Sequence, residues 1–208
     1  MDVKLNNIGR RFNREWIFEG IDYTFENGNS YAILGHNGSG KSTLLQVIAG
    51  SLTPSSGTIE YLEGDKSVDI DNIYQSVVIA APYLELIEEF SLSELLDFHF
   101  RFKRPLKQLT TKQIIALLGL ERSASKPLKY FSSGMKQRTK LALALCSDTP
   151  LTLLDEPASN LDHSGISWYK DMIDQFGKDR TLIVCSNQAV EYDFCSYQLQ
   201  ITDYKNNK

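Results

Sequence analysis

The sequence contains no long apolar run, few cysteines and no excess of positive charge. No apolar run approaches the roughly 18 uninterrupted residues that a membrane-spanning helix requires, which argues against direct insertion into a bilayer. The net charge of −4 over 208 residues argues against nucleic-acid binding, which requires a basic face. The three cysteines are an odd number in apolar surroundings, so they predict reduced core thiols in a cytosolic protein rather than a disulfide framework or a zinc site.

The most specific pattern in the chain is a glycine-rich stretch between two apolar runs. It reads Gly35-His36-Asn37-Gly38-Ser39-Gly40-Lys41-Ser42-Thr43. The stretch matches the P-loop pattern G-x-x-x-x-G-K-[ST], with a strand-like run at 31–34 before it and a helix-like run at 44–50 after it. The glycines allow successive backbone N–H groups to point into one hollow, and the start of the helix adds more. The sequence therefore predicts a site for the phosphates of a nucleotide.

Two side chains of this stretch suit the chemistry of a nucleoside triphosphate. Lys41 can reach the β- and γ-phosphates, and the Ser42 hydroxyl can serve as a ligand of Mg²⁺. A second acidic motif follows the apolar run 151–154, where Asp155 and Glu156 are adjacent. Neighbouring side chains at a strand end point in different directions, so the two carboxylates can take different roles. Asp155 can hold Mg²⁺ through water, and Glu156 can act as the general base for a water that attacks the γ-phosphate.

Strand and helix patterns alternate at both ends of the chain, whereas the middle has only helical patterns. We therefore predict an α/β fold with a P-loop NTPase core, a mostly parallel sheet and N-terminal antiparallel strands. The core should cover about residues 1–82 and 148–208, with a helical subdomain inserted at about 83–147. Together these segments would form a single nucleotide-binding domain of residues 1–208.

Two further motifs lie between and after these sites. Phe131-Ser132-Ser133-Gly134-Met135-Lys136-Gln137-Arg138 precedes the acidic strand, and Ser159-Asn160-Leu161-Asp162 follows it. The first resembles the signature L-S-G-G-Q-x-x-R of the ATP-binding cassette (ABC) ATPase family, and the second resembles its D-loop, S-A-L-D. The order of the motifs extends the resemblance over nearly the whole chain.

The resemblance implies ATP as the nucleotide, Mg²⁺ as the cofactor and a second cassette as partner, in a homodimer or a heterodimer. Each ATP would lie between the P-loop of one cassette and the signature of the other, with Ser132, Gly134 and Asp162 contributing to the site. It also implies an adenine-stacking aromatic residue at Phe12. A core role for Phe12, and Trp16 as the stacking residue, remain alternatives.

The resemblance further implies an ATP-binding and ATP-hydrolysing subunit that powers a separate transmembrane permease subunit by ATP-dependent dimerisation. Such a subunit is cytoplasmic and is held peripherally at the inner face of the cell membrane by its partner. The apolar connector 82–90 is the segment that would contact the partner, although packing of its side chains inward is an alternative. The aromatic run 98–102 is likewise either part of an interface or part of the core.

The chain departs from the family pattern at four positions. Ser133 and Met135 replace a glycine and the glutamine of the signature. Pro82 falls where the family has a glutamine that bonds to Mg²⁺, and Ser186 falls where it has a histidine that contacts the γ-phosphate. A hydroxyl can still hydrogen-bond to phosphate there, but it brings no positive charge. Because losing one preorganised contact in a transition state typically costs on the order of 10²–10³ in rate, we expect a slow ATPase that still binds ATP.

These departures also support an alternative function. The chain could be a hydrolytically weak regulatory cassette that works on a partner protein or pairs with a competent cassette. The presence of Lys41, Asp155 and Glu156 favours the hydrolytic subunit instead. A P-loop kinase or GTPase is disfavoured, because the guanine-reading pattern N-K-x-D is missing from the sequence.

Overall fold

The computed structural model describes residues 1–205, so residues 206–208 at the end of the predicted core lie outside the described part. The chain divides into two compact units. The first comprises Met1–Ile79, Pro150–Glu156 and the chain from Asp179 onward, and the second comprises Ala80–Thr149 and Pro157–Lys178. The second unit therefore includes residues 157–178, which the sequence analysis assigns to the core.

Nine strands and seven α-helices are found within residues 1–205. The strands are β1 (Asp2–Phe12), β2 (Glu15–Phe25), β3 (Ser30–Leu34), β4 (Ser56–Glu63), β5 (Lys66–Val68), β6 (Val77–Ala80), β7 (Leu151–Asp155), β8 (Thr181–Ser186) and β9 (Tyr197–Gln200). The helices are α1 (Lys41–Ile48), α2 (Ile73–Ser76), α3 (Leu92–His99), α4 (Thr111–Leu118), α5 (Ser133–Leu145), α6 (His163–Phe176) and α7 (Ala189–Tyr192).

The strands form two sheets. A four-stranded sheet has the order β2-β1-β4-β5, and its neighbouring strands are antiparallel. A five-stranded sheet has the order β6-β7-β8-β3-β9, in which β3 runs parallel to β8 and β9 and β7 runs parallel to β8. This α/β architecture confirms the predicted fold class. Strand β1 lies between two neighbours, since it pairs with β4 from Asp2 to Gly9 and with β2 from Val3 to Phe12.

The parallel sheet determines where the polar motifs meet. All residues of β7 and β8 are buried, as expected for parallel strands that are covered on both faces. In the parallel register Leu34 pairs with Ser186, and Asp155 pairs with Cys185. The loop after β3 and the acidic pair at the end of β7 therefore lie at the same edge of the sheet, on either side of β8.

Helix α1 is anchored under this edge by its apolar side. Leu44, Leu45 and Ile48 are fully buried in the core of the first unit. The hydroxyl of buried Tyr61, on β4, donates to the Ile48 carbonyl at 2.9 Å and so satisfies a free carbonyl at the end of the helix. Each fully buried aliphatic side chain of this size contributes roughly 1.5–3 kcal/mol by leaving water, which holds the start of α1 firmly in place.

Two helices of the second unit begin at side-chain caps. Ser91 and Thr110 each form a capping box with the residue three positions later, at the starts of α3 and α4. Gly119, with φ of 66°, ends α4. No helix within residues 1–205 has both the length and the apolar character needed to cross a membrane.

His99, the last residue of α3, is a buried titratable group in the second unit. Its Nε2 lies 2.9 Å from the Ser147 hydroxyl. Burial, assisted by the charge of Lys103, lowers the pKa of His99 to about 4, and a hydrogen bond with the Leu143 backbone partly opposes this. The unfolded chain therefore binds a proton at this residue at a higher pH than the folded chain does, and stability decreases as the pH falls from about 6.5 toward about 4.

We predict that acidification destabilises the native protein more than a His99→Gln variant. Between about pH 7 and about pH 4.5, the loss of unfolding free energy should be larger in the native protein by about 2–3 kcal/mol, because glutamine does not titrate. Urea unfolding at the two pH values measures this difference. All other titrating groups are common to the two proteins, so equal losses would show that His99 is not held neutral.

Candidate nucleotide-binding site

The P-loop joins β3 to α1 and leaves the start of the helix open. No side chain of the described residues caps α1, because its N-cap residue is Gly40, with φ of 103°. The first backbone N–H groups of α1 are thus free to bind an anion at the positive end of the helix. A Cβ atom at Gly35 would lie 2.5 Å from the Ser39 hydroxyl oxygen, and one at Gly40 would lie 2.5 Å from Cγ2 of Ile17. Close approach therefore requires glycine at both positions.

Lys41 lies over the loop that precedes it. Its ammonium group donates to the carbonyls of Gly35 at 2.9 Å and His36 at 3.3 Å. The loop encloses a cavity of about 220 Å³. The cavity is lined by Ile17, Asn37, Gly38, Ser39, Gly40, Lys41, Ser42, Thr43 and Glu156. Most of the P-loop residues predicted to bind nucleotide, together with the predicted general base, thus share one cavity.

Ser42 and Asp155 form a pair that suits a divalent cation. The Ser42 hydroxyl lies near enough to the Asp155 carboxylate to lower its pKa, and Oδ1 of Asp155 is buried without a partner among the described residues. Burial raises the pKa of Asp155, the Ser42 hydroxyl opposes this, the charge of Glu156 adds to the rise and that of Lys41 opposes it. A buried, unsatisfied carboxylate oxygen is costly unless it binds a proton or a cation. A hydroxyl and a carboxylate are ligands that Mg²⁺ accepts, so these residues fit the ion.

Glu156 leaves β7 in an unusual backbone conformation. Its φ is 43°, in the left-handed region, which costs a non-glycine residue roughly 1–3 kcal/mol. Its backbone N–H donates to the Cys185 carbonyl on β8 at 2.8 Å, which holds the turn in place. The turn places Glu156 in the cavity wall, while Asp155 remains the last residue of the strand.

The geometry at the end of β8 bears on the role predicted for Ser186. Strand β8 continues through Ser186, and the side chain of Ser186 is buried. Its hydroxyl bonds to the Glu191 carboxylate and accepts from the Gln188 backbone N–H at 2.8 Å. Because these local partners occupy the hydroxyl, the geometry argues against a contact between Ser186 and phosphate.

The first exposed side chain after β8 is Asn187, which the sequence analysis missed. Its amide donates to the side-chain oxygen of Asn37, in the P-loop, at 2.9 Å. The sequence shows polar residues directly after the apolar run of β8. It does not show where the strand ends, and the strand end decides which of these side chains is exposed next to the P-loop. Asn187 thus connects the end of β8 with the P-loop.

Phe12 and Trp16 occupy opposite faces of the hairpin formed by β1 and β2. Cross-strand partners project to the same side, and Phe12 pairs with Glu15 whereas the adjacent Arg11 pairs with Trp16. Phe12 does not line the P-loop cavity, and its side chain is 47% exposed. The two candidates for stacking on adenine are therefore distinguished by the side of the sheet on which they lie.

The predicted signature residues lie within the second unit. Ser132 is the N-cap of α5, and its hydroxyl accepts from the Met135 backbone N–H at 3.2 Å. A Cβ atom at Gly134 would lie 3.1 Å from the Asn160 carbonyl, so a larger residue would press on the D-loop. These residues line a cavity of about 410 Å³ together with Asp162. The Asp162 carboxylate caps α6 by accepting from the Gly165 N–H at 2.7 Å, which lowers its pKa.

Pro82 lies where the family pattern has a glutamine, and the structure leaves it exposed. It has no side-chain donor. Its carbonyl accepts from the Lys140 ammonium at 3.0 Å, and the Ala81 carbonyl lies 3.4 Å from the same ammonium. A lysine of α5 therefore holds the backbone of this connector.

The fold and the loop between β3 and α1 define this chain as an α/β protein of the P-loop NTPase class. A family model described as "ABC transporter" matches residues 18–159. The chain therefore belongs to the ABC transporter family, as the resemblance predicted.

Two curated relatives support the family membership, and one solved structure supports the fold. The chain is 28% identical over 189 residues to the uncharacterized ABC transporter ATP-binding protein YybJ of Bacillus subtilis, covering 91% of this chain and 86% of the relative. It is 31% identical over 177 residues to the cytochrome c biogenesis ATP-binding export protein CcmA of Paramagnetospirillum magneticum, covering 83% and 81%. Its fold matches a dimeric ATP-binding cassette, MJ0796 bound to ADP and Pi, with a TM-score of 0.81, 20% identity and coverage of 96% and 95%.

We predict that Gly40→Ala destabilises the protein more than the control substitution Gly38→Ala. Both glycines have positive φ, but a Cβ atom at Gly38 would meet nothing within 4 Å, whereas one at Gly40 would press on Ile17. We expect a loss of about 1 kcal/mol of unfolding free energy for Gly38→Ala and about 2–4 kcal/mol for Gly40→Ala. Urea denaturation measures both, and equal losses would contradict the close contact at Gly40.

Proposed function

We propose that this chain binds and hydrolyses ATP and powers a separate membrane-spanning subunit by ATP-dependent dimerisation. The observation that carries the proposal is the single cavity that holds the P-loop residues and Glu156, next to the Ser42–Asp155 pair. Membership of the ABC transporter family and relatives that are named as ATP-binding proteins support the same function.

The P-loop would bind the triphosphate, with its charge balanced by Lys41 and by the open start of α1. Lys41 would exchange its two loop carbonyls for β- and γ-phosphate oxygens. Ser42 and Asp155 would hold Mg²⁺, whose positive charge would stabilise the negative charge of the phosphates. The buried, unpartnered oxygen of Asp155 supports this role.

Glu156 would act as the general base. Its carboxylate would accept a proton from a water whose oxygen attacks the γ-phosphorus, while the bond from that phosphorus to the β–γ bridging oxygen breaks to give ADP and phosphate. The position of Glu156 in the cavity wall supports this assignment, and its strained backbone is typical of a functional position. We assign the polar contact from the end of β8 to Asn187 instead of Ser186, because of these two side chains it is Asn187 that bonds to the P-loop.

The second cassette would complete each site. Ser132 and the backbone N–H groups near Gly134 start α5 and are exposed or half-buried, which suits an anion brought by a partner. Asp162 would act indirectly, since its carboxylate already caps α6. The second cassette would be a copy of this chain in a homodimer and a different chain in a heterodimer.

The membrane-spanning partner would contact the connector 82–90, in the second unit. Tyr83, Leu84 and Ile87 are more than one third exposed there, which supports an interface over inward packing. In this proposal the chain is one cytoplasmic cassette, with core segments of about 1–82 and 148–208 and a helical subdomain at about 83–147. The partner would hold it at the inner face of the cell membrane.

We predict that Glu156→Gln removes ATP turnover and preserves ATP binding. Glutamine has the same shape but cannot accept the proton, so phosphate release should fall by at least about 10²-fold while the Kd for Mg-ATP changes little. Phosphate release and equilibrium binding measure the two quantities, and analytical ultracentrifugation with ATP would detect an accumulated dimer. Unchanged turnover would remove Glu156 from its proposed role. If the native protein already releases phosphate no faster than the variant, the regulatory cassette becomes the better description.

Two alanine substitutions test whether Asn187 or Ser186 provides the polar contact at the end of β8. Asn187→Ala should lower the rate of phosphate release about 10-fold or more with little loss of stability, because it removes an exposed polar contact. Ser186→Ala should instead lower the unfolding free energy by about 1–3 kcal/mol, because it leaves Glu191 with one partner fewer, and its effect on turnover should be smaller. The reverse pattern would restore Ser186 to the site.

A further inference from the structure

An arginine covers one face of the aromatic ring proposed to receive the nucleobase. The guanidinium carbon of Arg10 lies 4.6 Å from the centre of the Phe12 ring, near the tip of the hairpin formed by β1 and β2. Because Phe12 nevertheless keeps 47% of its surface exposed, the ring retains an open area on which a planar group can stack. Phe12 therefore has a cation over its ring and is still partly open to solvent.

Arg10 is fixed by more than this ring. Its guanidinium donates to the Thr53 carbonyl at 2.9 Å, and its Nε is buried without a hydrogen-bond partner among the described residues. The same loop holds the hairpin at two more points, since Ser55 donates its N–H to the Gly9 carbonyl and accepts from the Arg11 N–H. A side chain anchored in this way loses little further freedom when a ligand binds.

Arg10 and the P-loop both lie next to Phe18 of β2. Arg10 pairs across the strands with Phe18, and a Cβ atom at Gly40 of the P-loop would lie 3.3 Å from Cδ1 of Phe18. Arg10 and Phe12 share one side of the hairpin, as the contact between them requires. Arg11 and Trp16 form a second cation–ring contact, at 5.4 Å, on the other side.

We propose that Arg10 is a positioning residue for the nucleobase of ATP, which acts through Phe12. Arg10 holds the ring in one orientation and draws its π-electron density toward the covered face. The inference rests on the proposed function, because it requires that ATP binds to the P-loop, and it adds a determinant of affinity that the phosphate site does not contain.

Two physical effects of Arg10 favour stacking on the open face of Phe12. A cation is attracted to the negative face of an aromatic ring, and the density that moves toward it leaves the opposite face less negative. An electron-rich purine then stacks on that face with less repulsion. The fixed orientation of the ring also reduces the entropy lost when the base binds.

Binding of two ligands, with and without a base, tests the inference. The ligands are Mg-ATP and Mg-tripolyphosphate, and calorimetry gives the Kd of each for the native protein and for the variants Arg10→Met, Arg10→Lys and Phe12→Ala. Arg11→Met is the matched control, because it removes the equivalent contact on the opposite side of the hairpin. Thermal melting of each variant verifies that the fold is kept.

We expect the native protein to bind Mg-ATP more tightly than Mg-tripolyphosphate. Phe12→Ala should weaken ATP binding about tenfold, as is typical of a lost base–aromatic stack. Arg10→Met should weaken it roughly three- to fivefold, while Arg10→Lys, which keeps the charge, should fall between Arg10→Met and the native protein. The affinity for tripolyphosphate should be the same in all variants, and Arg11→Met should change neither affinity.

Three outcomes would overturn the inference, and they separate it from the proposed function. Equal losses for both ligands in Arg10→Met would indicate a general structural role of the arginine. An unchanged affinity for ATP in that variant would remove Arg10 from the site. Equal affinity of the native protein for the two ligands would mean that no base platform exists, although the phosphate site remains. If the native protein binds neither ligand, the proposed function itself fails.

Discussion

The parallel alignment of β3, β8 and β7 is the constraint on which the rest of the site depends. Parallel strands end at one edge of their sheet, so the loop after β3 and the acids after β7 meet there without any long-range sequence signal. Burial of the strands supports one register, because a slip by one residue would move every side chain of a strand to the opposite face of the sheet. The positions of the proposed catalytic groups are therefore set by the packing of apolar residues in the strands.

Much of the site could be predicted from the sequence because its residues act through local backbone geometry. The P-loop pattern determines the turn, the helix start and the lysine within nine residues, and the acids follow an unmistakable apolar run. Capping residues such as Ser91, Thr110 and Ser132 likewise bond to groups three positions away, which the sequence displays directly. Interactions of this range need no knowledge of the tertiary fold.

The errors and open alternatives arose where a shift of one residue changes the direction of a side chain. Strand β8 ends at Ser186, so the hydroxyl of Ser186 is buried and the amide of Asn187 is exposed. Phe12 and Trp16 lie on opposite sides of the hairpin because of a register shift between Arg10 and Arg11, which no apolar pattern reveals. In both cases strand pairing, a long-range property, decides the direction in which a side chain points.

The left-handed backbone at Glu156 has a consequence for how this chain can vary over evolution. Glycine and asparagine adopt that backbone more readily than glutamate does, so exchanging the acid for either relieves local strain. The same exchange deletes the only carboxylate in the wall of the P-loop cavity, as far as the described residues line it. A single substitution at this position can therefore relieve backbone strain and at the same time remove the carboxylate proposed as the general base.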